Sequence, residues 1–89
     1  MLTLPAVVTH AQALQTAIGL KAKVAAEART VVLDASALTQ FDSSALAVML
    51  ACRRDVLAAG KTFAVHGLPV KLSQLAGLYG VAELIPSVV

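Results

Sequence analysis

The chain is poor in cysteine, aromatic residues and charge, and each shortage closes off a class of function. Cys52 is the single cysteine, so the chain can form no internal disulfide and no cysteine-based metal site, which fits a reducing cytoplasm. Aromatics make up 3% of the residues, which leaves single-stranded nucleic acid almost nothing to stack on. The seven Lys and Arg are scattered without a run, so no basic footprint for nucleic acid forms either. The longest unbroken apolar stretch, Ala45 to Cys52, is far shorter than the roughly 20 residues a spanning helix requires. No Lys or Arg precedes Lys21, so the apolar start Leu2 to Val8, followed by Ala11-Gln12-Ala13, lacks the basic front of a signal peptide, and export is not expected. The glycines stand isolated at positions 19, 60, 67, 77 and 80, which excludes a phosphate-cradling loop, and no Gly-x-Ser-x-Gly elbow surrounds Ser43. His10 and His66 have no Cys, His or acid at ligand spacing. With no base, metal site or cofactor loop in view, the expectation is a protein that is not an enzyme and takes no cofactor.

What the chain does have is apolar surface. Apolar residues account for 58% of it and charged ones for 13%, which excludes disorder and predicts one aliphatic core, a single domain over residues 1–89, and leftover surface for a partner. Leu2-Thr3-Leu4 alternates like a short strand that Pro5 confines to a sheet edge or strand end. Thr9 followed by Gln12 forms a capping box, predicting a helix from about His10 to Glu27. Its buried stripe is read as Ala11, Leu14, Ala17, Ile18 and Val24, with Gln15, Lys21, Lys23 and Glu27 toward water.

The stretch Thr30 to Gly60 organises the rest. Val31-Val32-Leu33 has the β-branched, apolar character of a buried strand, and a polar loop over Ser36 to Gln40 follows. Asp42 or Ser43 then caps a helix that runs to about Ala59 and stops at Gly60. Ala45, Val48, Met49, Cys52, Val56 and Ala59 recur at helical spacing as its buried face, leaving Arg53, Arg54 and Asp55 outside. Lys61 to Val65 is a second strand. Pro69 suits the first position of a third helix through about Gly77, Val81 to Leu84 a last helical turn, and Pro86 the end of regular structure. Strands alternating with crossovers of this length imply parallel pairing.

The one polar cluster placed where it has leverage is Asp42-Ser43-Ser44 at the helix N-terminus. Capping accounts for one hydroxyl. A second hydroxyl is free to meet a partner or to take a phosphate, whose charge of roughly −1.5 to −2 a helix N-terminus tolerates.

Val31-Val32-Leu33-Asp34, then Phe41-Asp42-Ser43-Ser44-Ala45-Leu46, then Ala59-Gly60-Lys61 resemble the STAS domain family, over Thr30 to Pro86. That resemblance implies a small α/β fold with three to four mainly parallel strands plus helices. STAS domains carry a full pair of strands before the first helix, so here the N-terminal strand or strands are shortened or missing. An edge left open by this would be covered by a partner or by a second copy, as in a homodimer. The tail, with Leu78-Tyr79-Gly80 and then Leu84-Ile85-Pro86, is similar to STAS domains of the MlaB type, which are short cytoplasmic subunits of Mla phospholipid ABC transporters. The resemblance implies a non-catalytic subunit that binds an MlaF-like ATPase and serves lipid asymmetry, reaching the inner membrane only through the transporter. The resemblance places Ser43 in the contact with that ATPase, and the contact set expected around it is Asp42, Ser43, Ser44, Leu46 and Arg53, with Arg54 beside it, a solvated charged face being the other reading of the two arginines. The alternative within the family is an anti-sigma factor antagonist, in which a partner kinase phosphorylates the first Ser of Asp-Ser-Ser-Gly-Leu, here Ser43. Ala45 and Ala47 stand where those antagonists usually carry glycine.

Overall fold

Two five-residue strands carry the sheet, one with alternating burial and the other buried at three consecutive positions. In β3 (Thr30–Asp34), Val31 and Leu33 are fully buried. In β5 (Thr62–His66), Phe63 and Val65 lie opposite them in a parallel register that runs from Thr30↔Thr62 to Asp34↔His66. A computed structural model describes residues 1–88. Around this pair the order is β1 (Leu2–Thr3), β2 (Val7–Val8), α1 (His10–Val24), β3, β4 (Gln40–Phe41), α2 (Ser44–Ala58), β5, α3 (Val70–Leu78), a 3-10 turn (Ala82–Leu84) and β6 (Ser87–Val88). Among the described residues the main sheet has the order β1-β3-β5-β6, and β2 and β4 form a separate two-stranded ribbon. Every strand pair is parallel.

The expected α/β architecture holds, with four parallel strands and short N-terminal ones. β1 has two residues and lies at the sheet edge, where Pro5 costs no ladder bond. The chain after it spends its next strand elsewhere: Val7 and Val8 pair with Gln40 and Phe41. The Ala6 carbonyl accepts from the amides of Thr39 (2.9 Å) and Gln40 (3.0 Å), which pins the crossing loop.

Four readings need correction. First, α1 ends at Val24, and its buried face is Leu20 and Val24 with Ala13, Thr16 and Ala17 half-buried, whereas Ala11 is exposed, Leu14 is 70% exposed and Ile18 56%. Two stripes of this helix are apolar, and the one with small residues packs because it lets α1 approach α2 closely. Second, regular structure continues past Pro86, since Ser87 and Val88 add an edge strand on Val65 and His66. Third, Ala59 is exposed at the helix end, and Leu46 joins the buried face of α2 in its place. Fourth, Pro69 is the cap residue before α3, one position ahead of its expected place.

Side chains close the helix ends. Gln12 Oε1 accepts from the Thr9 amide (3.0 Å) and hydroxyl (2.6 Å), so the expected capping pair forms. Gly60 takes φ +75 and ends α2. Lys61, read from sequence only as the start of a strand, sends Nζ back to the carbonyls of Val24 (2.8 Å), Ala25 (3.2 Å) and Glu27 (2.7 Å), tying down the end of α1 and the turn that follows it.

Candidate partner-binding turn

The β2–β4 ribbon determines where the turn sits. Each of its strands leads directly into a helix: Val8 into α1 through Thr9, and Phe41 into α2 through Asp42 and Ser43. Pairing Val8 with Phe41 therefore brings the two helix N-termini side by side. Phe41, half-buried and packed on the core, anchors the second entry.

Asp42 latches the two ends together. Its Oδ1 accepts from the Ser44 amide (2.8 Å) in the first turn of α2, and its Oδ2 accepts from the His10 amide (3.0 Å) at the start of α1. One carboxylate thus stabilises two positive helix ends. The Ser44 amide, and after it the His10 amide, hold the Asp42 carboxyl below its usual range. Of the two capping candidates it is Asp42 that caps. Ser43 is helical in backbone (φ −61, ψ −18) and makes no side-chain capping bond.

The Ser43 hydroxyl consequently faces outward, whereas that of Ser44 lies toward the Asp42 carboxylate. Ser43 is exposed and within reach of a neighbour, and Ser44 is half-buried. The remaining first-turn amides are already paired: Ala45 N–H donates to the Asp42 carbonyl and Leu46 N–H to the Ser43 carbonyl, each at 3.1 Å.

The other expected contact residues lie elsewhere. Leu46 is 3% exposed and belongs to the core, so it backs the turn and offers a partner no surface. Its position two residues into α2 turns its side chain inward beside Ala45. Arg53 is half-buried on the same helix but about 13 Å further along the axis at ~1.5 Å per residue, so it is not part of the turn. Arg54 is exposed beyond it. Cys52 is packed inside, and burial, with Asp55 adding to it, pushes its thiol up to about 11, which makes it an inert core residue. The link from Asp42 to His10 was not visible in sequence, because the two are 32 positions apart and only the ribbon brings them together.

Among the described residues no helix is long and apolar enough to cross a membrane. No curated protein matches the chain. The family model described as "Mlab, STAS domain" matches residues 1–86, taking in the short N-terminal strands, the Asp-Ser-Ser turn and the Leu-Tyr-Gly tail alike. The chain belongs to the STAS domain family and is of its MlaB type.

Proposed function

We propose that the protein is a non-catalytic STAS subunit that binds and supports the ATPase of an Mla-type phospholipid ABC transporter, and so contributes to lipid asymmetry. It would work in the cytoplasm and meet the inner membrane only through the transporter. The observation that carries this reading is the Ser43 hydroxyl: exposed, unused by its own helix, and displayed on a turn that Asp42 locks from two sides. A small polar side chain held rigidly at a helix end forfeits little entropy on docking, as a recognition point requires.

The same geometry argues against the phosphorylation switch. A phosphate on Ser43 would stand beside the Asp42 carboxylate, and the amides of Ser44, Ala45 and Leu46 that could have received it are already paired. Like charge at that distance is unfavourable.

Ser43→Arg tests the proposal. In co-expression with the ATPase, the variant loses co-purification while its unfolding free energy stays within about 0.5 kcal/mol of wild type, as for other exposed substitutions. Retained binding would overturn the reading. Phosphate found on Ser43 by mass spectrometry, coupled to release of a partner, would replace it with the anti-sigma antagonist.

A further inference from the structure

We propose that the open face of the main sheet is a contact between two copies of this chain, related by a two-fold axis that runs along the strands between β3 and β5. This goes beyond the function proposed above and uses a surface other than the Asp-Ser-Ser turn.

The pleat defines this face. Val31, Leu33, Phe63 and Val65 point to one side of the sheet, and the core cluster they form takes in the buried residues of α1, α2 and α3 alike. The helices therefore cover that side. The alternate residues point the other way in three aligned rows: Thr30 beside Thr62, Val32 beside Ala64, and Thr3, Asp34 and His66 side by side. Ala64 is 8% exposed yet takes no part in the core cluster, so its neighbours on the strands shield it and no helix does. An all-parallel sheet normally has both faces covered. Here one is left over. Its side chains are small, and among the described strand residues it carries one carboxylate and one imidazole.

That pattern is complementary to itself. Two stacked sheets keep their strands within about 30° of each other. With the axis between β3 and β5, β3 of each copy lies over β5 of the other, so Asp34 meets His66 of the second copy, Val32 fills the space over Ala64, and Thr30 meets Thr62, each contact made twice. Moving the axis onto β3 sets Asp34 against Asp34, moving it onto β5 sets His66 against His66, and turning it across the strands at Val32 sets both against threonines. Of these, the central axis alone joins opposite charges and large to small. At about 4.8 Å between strands and about 3.3 Å per residue, four strands give at most roughly 300 Å² per copy. A standard interface buries about 800 Å² per partner, so this contact is weak and fills as concentration rises.

Sedimentation equilibrium of the full chain, over a series from about 1 μM to about 1 mM, tests this. The average mass of the wild type should climb from 9.1 kDa toward twice that value. Val32→Lys, with a charge at the centre of the face, should weaken the dimer at least about tenfold, and Thr62→Lys, at an exposed position, is the second variant if Val32→Lys does not fold. His66→Glu, which sets a carboxylate against Asp34 of the second copy, should weaken it likewise, whereas His66→Lys should keep it. Ser43→Arg should dimerise as the wild type does, so a loss of ATPase binding in that variant bears on the proposed function alone. A wild type that stays monomeric throughout overturns the inference, as does a dimer that survives both Val32→Lys and Thr62→Lys, or one that treats Glu and Lys at position 66 alike. If the chain is monomeric and Val32→Lys abolishes co-purification with the ATPase, the face belongs to that partner and the inference is likewise overturned.

Discussion

Asp42 is the residue on which the turn depends, because one carboxylate serves two helices. Its folded pKa is held below the ordinary value, so its stabilisation is complete above about pH 4, the unfolded value, and disappears as pH falls through the lowered one. Asp42→Asn should therefore lower the urea midpoint at pH 7 and flatten its dependence on pH below 4, with wild type and variant converging in acid; parallel curves at all pH would rule out the latch. Much of this residue was legible in the chain. The Asp-Ser-Ser run before an apolar helix announces a cap and spare hydroxyls. Its second partner was not, since nothing local in the sequence connects position 42 to position 10. The same limit applies to Lys61, whose three carbonyl acceptors lie 34 to 37 positions away.

At the scale of the element, the helices were readable as helices and only partly readable as faces. The start of α1 at Thr9-His10 and the stop of α2 at Gly60 are encoded in capping chemistry, and the structure reproduces both. The buried side of α1 is another matter. Apolar residues occur at 11, 14, 17 and 18 but also at 13, 17, 20 and 24, and in a helix this rich in alanine both stripes satisfy the same period. Bulk favoured the first and packing chose the second, because Ala13 and Ala17 admit α2 while Leu14 and Ile18 would hold it off. Alanine substitution distinguishes the two stripes. Leu20→Ala, at a position 5% exposed, should cost about 2 to 4 kcal/mol, and Ile18→Ala less than about 0.5 kcal/mol, both by denaturant unfolding. Equal losses would return Ile18 to the core.

For the whole molecule, the parallel layout followed from the alternation of strands and crossovers, and the aliphatic core from composition. Of the two-residue strands, β1 showed in the alternation of Leu2-Thr3-Leu4, whereas β2, β4 and β6 did not, since pieces this short have too little periodicity and exist only because another strand pairs with them. The loops at the ends of β3 and β5 meet at Gly67, which takes φ +70 and sits where an added Cβ would lie 2.7 Å from Ser36 Cβ. Gly67→Ala should destabilise by about 2 kcal/mol or more. Gly19→Ala, within α1 and facing open space, should stabilise by about 0.5 to 1 kcal/mol. Opposite signs in one thermal melt series check the pair.

The all-parallel pairing also has a kinetic side. Among the described residues the sheet has no hairpin, and the first ladder rung between β3 and β5 closes over 32 positions, from Thr30 to Thr62. Topologies dominated by such distant pairings fold slowly for their size. During synthesis, Val31 to Leu33 leave the ribosome with only the two-residue β1 to pair with, and their other edge stays adhesive until Thr62 to His66 has followed.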